Sequence, residues 1–288
     1  MGCKKVNQPT SLPKTKALLA TKFEDFEDFL SVVDITYENI QLDSAIGTVK
    51  LVYQDEGQMI TSKLSDGITQ GEITSASKGD LWDKILLSIQ SPYAVLYRKE
   101  LSQIFMLARR RDALFGENDV AFYDLAKTAM EHIERNRNAF SHYRDSLEKG
   151  YINTFNHVTA QAIITALYSE DLAHFVASVH ERFHMPQLVS GKFSSQQLND
   201  TLNYPVDNYV DIINNEIGQE LGKYLQNKYH IEPTTVWTPD FTCQFIEEIH
   251  NYYEKSFDIV IKSFHPYDEL IQKFSHKIEA VKQGGTYY

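Results

Sequence analysis

The sequence predicts a mainly α-helical protein, a multi-helix domain with a small β-hairpin near its N-terminus. From residue 79 onward, apolar residues recur at helical spacing, and capping residues or prolines separate the periodic stretches. Only residues 47–63 alternate in the manner of strands, with the turn residues Asp55-Glu56-Gly57 between two β-rich runs. The chain has 288 residues and is 42% hydrophobic, which suffices for one large domain or two small ones.

We expect three parts along the chain: a flexible tether in residues 1–22, a small mixed α/β part in 23–78 and a helical domain in 79–288. The start of the tether is polar and contains Pro9 and Pro13, which suits a linker. In the second part, phenylalanines at helical spacing predict a short helix over residues 23–33. Residues 65–79 are rich in Ser, Thr and Gly, which predicts a loop.

The helical domain should contain a series of amphipathic helices. Prolines mark several boundaries, because Pro92 and Pro186 stop helices while Pro205 favours a first turn. Gly150 occupies a helix C-cap position, and residues 187–204 should form a polar loop. The predicted helices cover residues 80–91, 93–114, 119–149 (one helix, or two with a bend), 154–168, 169–185 and 205–229, and two more start near 240 and 256.

The charge balance argues against some partners. A formal net charge of −11 repels phosphate backbones, so we expect no nucleic-acid partner. The basic run Arg109-Arg110-Arg111 is followed by Asp112 and is interpreted as a solvated helix face. No stretch approaches the ~18 apolar residues that a membrane-spanning helix needs.

The first residues, Met1-Gly2-Cys3-Lys4-Lys5, lack the apolar core of a signal peptide. They resemble the junction of a bacterial lipoprotein, in which the cysteine becomes the lipidated first residue once the signal is removed. The resemblance implies a membrane anchor at Cys3 and a location at the bacterial cell envelope, periplasmic or surface-exposed. Eukaryotic N-myristoylation fits less well, because Val6 stands where that motif has Ser or Thr. An ordinary cytosolic start is the remaining alternative.

A metal-binding pattern occurs in His180-Glu181-Arg182-Phe183-His184, which matches H-E-x-x-H. Residues i and i+4 share a helix face, so His180 and His184 could bind one Zn²⁺ while Glu181 acts as general base. The pattern resembles zincin-type zinc metallopeptidases, although Arg182 and the nearby Pro186 depart from that family. The alternative is a helix end that bears exposed histidines, which suits the dipole there.

A catalytic zinc site needs a third protein ligand, and the candidates are Glu216, Asp211 and His157. In the helix from Pro205, one face beside the apolar stripe carries Asp207, Asp211, Asn214 or Asn215, and Gly218 at spacings of three to four, where the polar groups could line a cleft. The alternative for this face is a solvated surface on which Gly218 and Gly222 allow close helix packing. The sequence leaves both open.

Three short motifs occur together: Phe155-Asn156-His157, His180-Glu181, and Asp211 to Gly218, which reads Asp-x-x-Asn-Asn-x-x-Gly. This set resembles an uncharacterised domain family of bacterial secreted and toxin-like proteins. The resemblance covers about half of the chain at most, and this chain has Asn156 where the family commonly has an aromatic or basic residue. It implies an α-helical domain whose polar site is shared by three helices, and it implies no activity.

We therefore expect a metal-dependent hydrolase of the cell envelope or exterior, with zinc as the cofactor and a substrate that the sequence does not specify. The alternative is a non-catalytic lipoprotein interaction module whose polar cluster is structural. The functional interpretation requires His157, Glu181, Asp211 and Asn215 to meet in one cleft, with His184 at its edge. An Asp211 carboxylate more than about 10 Å from His157 and Glu181 would exclude a shared site.

Overall fold

The computed structural model describes residues 11–39, 47–135, 139–200 and 203–284, so the predicted lipid anchor at Cys3 lies outside the described residues. The fold is mainly α-helical, with one small three-stranded antiparallel sheet near the N-terminus, as predicted. Within these ranges, no helix combines the length and the apolar character needed to cross a bilayer.

The sheet consists of β1 (Val33–Glu38), β2 (Thr48–Asp55) and β3 (Gln58–Ser65), in that order. The predicted hairpin is β2–β3, in which Asp55 pairs with Gln58 across the turn. Both turn residues have positive φ, 46° at Glu56 and 79° at Gly57, which suits a tight hairpin turn. β1 adds a third strand beside β2. The sequence analysis did not predict this strand, which follows the short helix predicted over residues 23–33.

Thirteen α-helices make up most of the described residues, and the long helix over Pro205–Lys228 packs against β2 and β3. In chain order they are α1 (Phe26–Leu30), α2 (Gln70–Lys78), α3 (Leu81–Gln90), α4 (Pro92–Leu96), α5 (Arg98–Leu107), α6 (Asp112–Phe115), α7 (Phe122–Glu131), α8 (Asn153–Leu167), α9 (Glu170–His184), α10 (Ser195–Leu198), α11 (Pro205–Lys228), α12 (Pro239–Phe257) and α13 (Glu269–Lys282). Helices α8, α9 and α11 match the predictions closely, because a capping Ser169, Pro186 and Pro205 mark their ends.

Four predicted elements were wrong in extent. The loop predicted over residues 65–79 contains α2, which Thr69 and Glu72 start with a capping box. The helix predicted over 93–114 is divided into α4, α5 and α6. The helix predicted over 119–149 ends at Glu131. The last helix begins at Glu269 rather than near 256.

Gly150 explains part of the irregular chain before α8. It lies in a π-helical turn, Glu148–Ile152, with a non-helical backbone of φ −98° and ψ −129°. A Cβ atom there would lie 2.2 Å from the Asp145 carbonyl oxygen, so only glycine allows the approach. The turn is a rigid bend ahead of α8 rather than the predicted helix C-cap, and it fixes the position of the preceding residue, Lys149.

Helix α3 turns its apolar stripe outward. Trp82 is 75% exposed, Leu86 53% and Ile89 73%, although their helical spacing is typical of a core-facing stripe. The N-terminus of the helix is nevertheless well formed, because Asp80 and Asp83 cap each other's backbone.

Helices α8 and α11 form the centre of the molecule and pack extremely closely. A Cβ atom at Gly218 would lie 2.7 Å from the Val158 carbonyl oxygen, and one at Gly222 would lie 2.6 Å from that of Ala162. The two glycines therefore serve close helix packing, but the alternative of a solvated surface is wrong, because Asp211, Asn214 and Asn215 are buried. Helix α9 packs against both helices, which brings three motif-bearing helices into mutual contact.

Residues 15–21, which we call the N-terminal strap, do not form the predicted tether. Ala17, Leu18 and Leu19 are buried in the main core, together with residues from both sides of position 79. The Leu18 backbone N–H donates to Asn214 Oδ1 at 2.9 Å, and Asn214 Nδ2 donates back to the Leu18 carbonyl oxygen at 2.9 Å. The predicted tether is therefore wrong for the strap, which is an integral part of the core.

Candidate functional site

Helices α8, α9 and α11 bring four of the predicted site residues together. His157 Nδ1 lies 2.9 Å from Asn215 Oδ1, and Asn215 Nδ2 donates to Glu181 Oε1 at 2.9 Å. His157 Nε2 lies 3.4 Å from Asp211 Oδ2. The predicted convergence of these four side chains is confirmed, and together with His180 they are called the central cluster below.

Amide side chains set the tautomers of the two histidines in the central cluster. Because Asn215 donates its N–H to Glu181, its oxygen accepts from His157 Nδ1, which leaves Nε2 of that ring unprotonated. His180 Nδ1 lies 3.0 Å from Gln70 Oε1, so it donates there and its Nε2 is unprotonated as well. Both rings are therefore held neutral, each with one unprotonated nitrogen, by hydrogen bonds of the kind that also orient metal-binding histidines.

A second group of polar side chains continues the central cluster on its acidic side. Asn153 Nδ2 donates to Asp211 Oδ1 at 2.8 Å and to Asp207 Oδ1 at 3.2 Å. Lys149 Nζ donates to Asp207 Oδ2. Three carboxyl groups, those of Glu181, Asp207 and Asp211, thus share one ammonium group. Two negative charges would lack compensation if all three were ionised.

Burial shifts the protonation of these groups toward their neutral forms. It raises the pKa of Asp211 to about 7 and that of Asp207 to about 6, in the latter case helped by the charge of Asp211. It also raises the pKa of Glu181 well above its usual range, again with a contribution from Asp211. Burial lowers the pKa of His157, and it lowers that of His180 to about 3. A positive charge placed beside these groups would oppose the effect of burial and favour the ionised carboxyls.

Three side chains could offer ligand atoms to a single ion: those of His157, His180 and Glu181, whose ligand atoms lie within 4.8 Å of one another. Two imidazole nitrogens and one carboxylate oxygen form a donor set used by catalytic zinc sites. This set differs from the zincin-like prediction, because Glu181 is one of its members and His184 is not. The His180 and His184 rings share a helix face, with centroids 4.4 Å apart, but His184 is exposed at the edge, as expected.

Arg182, which departs from the zincin pattern, has a structural role. It is buried, and it donates from Nε to the Ile68 carbonyl oxygen at 2.8 Å and from NH1 to that of Ser65 at 2.7 Å. These bonds hold the connection between β3 and α2 against α9. The connection in turn positions Gln70, the first residue of α2, beside His180.

Two predicted site residues lie elsewhere. Asn214 is fully buried, and its amide binds the Leu18 backbone in the N-terminal strap, so it does not line the site. Glu216 belongs to a different acidic group, with Glu170 and Glu220, rather than to the ligand set around His180. Successive residues of α11 point to different sides of the helix, so a one-residue step from Asn215 leaves the central cluster in either direction.

A narrow cleft approaches the central cluster between β3, α9 and α11. Glu181 and Asn215 form part of its inner wall, and Glu216 lies on the same lining, although Glu181 and Glu216 belong to different potential ligand groups. The lining residues are Ser62, Lys63, Leu64, His174, Ala177, Ser178, Glu181, Ile212, Asn215, Glu216 and Gln219.

Three residues of this region were missed by the sequence analysis: Gln70, Lys149 and Asn153. Asp207 was expected on the same helix face as Asp211, one helical turn before it, and the structure places both carboxyls against Asn153. Gln70 fell in a predicted loop and Lys149 in a predicted helix end. Their contributions depend on tertiary contacts that no local pattern encodes.

Glu216 should make stability depend on pH. Burial, and then the charges of Glu220 and Glu170, raise its pKa to about 7 from an ordinary value of 4.5. The folded state therefore binds more protons than the unfolded state between these values, and the contribution of Glu216 to stability falls as pH rises from about 4.5 to about 7. We expect Glu216→Gln to raise the free energy of unfolding by about 1–2 kcal/mol at pH 8 and hardly at all at pH 5, measured by urea denaturation.

The control for this prediction is Glu56→Gln. The Lys16 ammonium lowers the pKa of Glu56, so this change should not raise the free energy of unfolding at pH 8. Equal effects of Glu216→Gln at both pH values would contradict the prediction.

Comparison of the chain with protein-family models found no match, and comparisons with curated proteins and with solved structures found no significant match either.

Proposed function

We propose that the protein is a metal-dependent hydrolase in which His157, His180 and Glu181 hold a zinc ion. One observation carries the proposal: two imidazoles kept neutral by amide partners and the buried Glu181 carboxyl have ligand atoms within 4.8 Å of one another. A divalent cation would favour the ionised carboxyl over the protonated one that burial favours, and the donor set suits zinc. The lipoprotein-like residues around Cys3 support a further proposal, that the enzyme acts at the bacterial cell envelope.

The residues of the site would have distinct roles in hydrolysis. Zinc, when bound, supplies Lewis acidity and lowers the pKa of water. Asp211 lies beside His157, and its pKa of about 7 suits a general base at neutral pH. Asn215 and Gln70 orient the two imidazoles as positioning residues. Glu181 thus changes from the base of the sequence-based hypothesis to a ligand.

Zinc content tests the proposal directly. Protein stripped by a chelator and reloaded with zinc should hold about one zinc per chain by mass spectrometry. Glu181→Gln and His157→Ala should each weaken zinc binding by about 100-fold or more, because each removes one of three ligands, while Asn215→Ala should weaken it about 10–100-fold. Asp211→Asn should retain zinc and lose hydrolysis of ester substrates.

His184→Ala is the matched control, because His184 lies on the same helix face but outside the ligand set. It should bind zinc as the unaltered chain does. Equal zinc binding by Glu181→Gln and the unaltered chain would refute the assigned ligands, and a loss in His184→Ala alone would restore the zincin-like assignment.

A second candidate is a non-catalytic interaction module in which the central cluster is structural. The observation that favours it is hydrogen bonding: among the described residues, no side-chain atom of the central cluster is buried without a partner. A satisfied network can fix the mutual positions of three helices without an ion. Under this alternative the reloaded protein takes up no zinc, and Glu181→Gln changes only stability.

A further inference from the structure

The geometry points to a phosphoryl group as what this site takes, with Lys149 as the residue that binds its oxyanion. This inference rests on the proposed function and narrows it from hydrolysis in general to phosphate esters. It starts from a cation that the central cluster does not fully use.

Lys149 reaches from the acidic side of the cluster to solvent. Its side chain is 39% exposed, whereas that of Asp207, its partner, is 7% exposed. An ammonium group has three N–H donors, and the bond to Asp207 uses one of them. A lysine that served only to neutralise buried carboxyls would gain from full burial, so the exposed donors are free for a ligand.

The backbone holds Lys149 at this place. It precedes Gly150 in the π-helical turn, which the Asp145 carbonyl oxygen restricts to glycine. Such π-helical turns cost stability and occur frequently at functional sites. The cost is understandable if the turn serves to hold the ammonium group beside Asp207 and partly exposed to solvent.

The exposed side of the site carries nitrogen groups. The His184 ring is exposed with its centroid 4.4 Å from that of His180, and the Lys149 side chain is partly exposed beside Asp207. Nitrogen groups therefore face solvent here, while the Glu181 and Asp211 carboxyls are buried, although the chain as a whole carries a charge of −11.

This arrangement selects among substrate chemistries. The bonds cleaved in peptides and glycans are uncharged, so such substrates would leave the free Lys149 donors without an anionic acceptor. A phosphoryl group brings negative charge and several acceptor oxygens, which suit an ammonium group and a divalent cation together. The same chemistry covers monoesters and diesters.

The reaction balances with water as the only co-substrate. The oxygen of water forms a new bond to phosphorus, and the phosphorus–oxygen bond to the leaving group breaks. Asp211 takes one proton from the water, and that proton goes to the departing alkoxide oxygen. Lys149 stabilises the charge on the non-bridging oxygens throughout.

Inorganic phosphate is the probe for the test. Calorimetry on the full-length, zinc-loaded protein should detect phosphate binding, and Lys149→Met should weaken it by about tenfold or more while zinc content stays at one per chain. Lys149→Arg keeps the charge and should restore most of the binding. Lys127→Met removes an exposed lysine paired with Glu131 and should change nothing.

Hydrolysis assays distinguish phosphate monoesters from diesters as substrates. Together with zinc and phosphate binding, they also separate the phosphoryl-site inference from the hydrolase proposal. We expect hydrolysis of p-nitrophenyl phosphate or of bis(p-nitrophenyl) phosphate, with Lys149→Met raising KM more than it lowers kcat. Zinc uptake without phosphate binding, or equal phosphate binding by Lys149→Met, would overturn the phosphoryl site and leave the hydrolase proposal standing. Failure to take up zinc would overturn the hydrolase proposal and this inference with it.

Discussion

Removing residues 1–22 should leave the protein unable to fold, because this truncation deletes the N-terminal strap. Burial of Leu18 and Leu19 alone contributes about 2–5 kcal/mol each by comparison with core leucine substitutions. Asn214, fully buried, would lose both of its bonds to the strap, at a further cost of about 1–3 kcal/mol. The sum is comparable to the whole stability of a typical domain, about 5–15 kcal/mol.

Circular dichroism and urea denaturation measure this effect, with a truncation of residues 1–10 as the reference for a new N-terminus. Because the longer truncation yields no folded state to titrate, Asn214→Ala gives a graded version and should cost about 2–3 kcal/mol. Asn227→Ala, on the same helix but with no described side-chain bond, should stay within about 0.5 kcal/mol. A folded truncation with an unchanged midpoint would show that the strap is dispensable.

Lys277→Met should destabilise the protein by about 3–5 kcal/mol, because it leaves a buried carboxylate without its cation. The Lys277 and Asp119 side chains are 1% and 2% exposed, and Lys277 Nζ lies 2.6 Å from Asp119 Oδ2. The same ammonium group donates to the carbonyl oxygens of Arg109 and Val120. All three of its donors are used, so the lysine fastens α13 to the segment between α5 and α7.

Lys273→Met supplies the matched control, four residues earlier on the same helix. Its partner Glu269 is 79% exposed, and exposed pairs contribute about 0–1 kcal/mol. The double variant Lys277→Met/Asp119→Leu should recover most of the stability, since it removes both charges. Equal denaturation midpoints for the two single lysine variants would contradict the assigned role of Lys277.

The parts of the fold that the sequence predicted are those with local causes. Helices α8, α9 and α11 follow from apolar spacing and from terminal residues such as Ser169 and Pro205, which act within a few residues of themselves. Helix α2 was missed because the prediction of a loop followed its Ser, Thr and Gly content. The capping box formed by Thr69 and Glu72, which indicates a helix start, was given less weight. The strap was missed because its partner, Asn214, is 196 residues away.

The candidate site follows the same rule. His157, Glu181, Asp211 and Asn215 could be predicted to converge because each lies in a short motif on a helix whose inner face was readable. The replacement of His184 by His157 in the proposed ligand set depends on how α8 and α9 cross, which H-E-x-x-H alone does not specify. Lys149 owes its position to a bend at Gly150, and that bend is restricted by a carbonyl oxygen five residues earlier.

The pairing of Leu18 with Asn214 also has a consequence for synthesis. The strap leaves the ribosome first, and its partner follows 196 residues later, at about 5–20 residues per second. Its apolar residues therefore remain without their partners in α11 for about 10–40 s. During that interval the nascent chain depends on chaperones or on non-native contacts to shield Leu18 and Leu19, so folding yield should fall most steeply when elongation is slowed between the strap and α11.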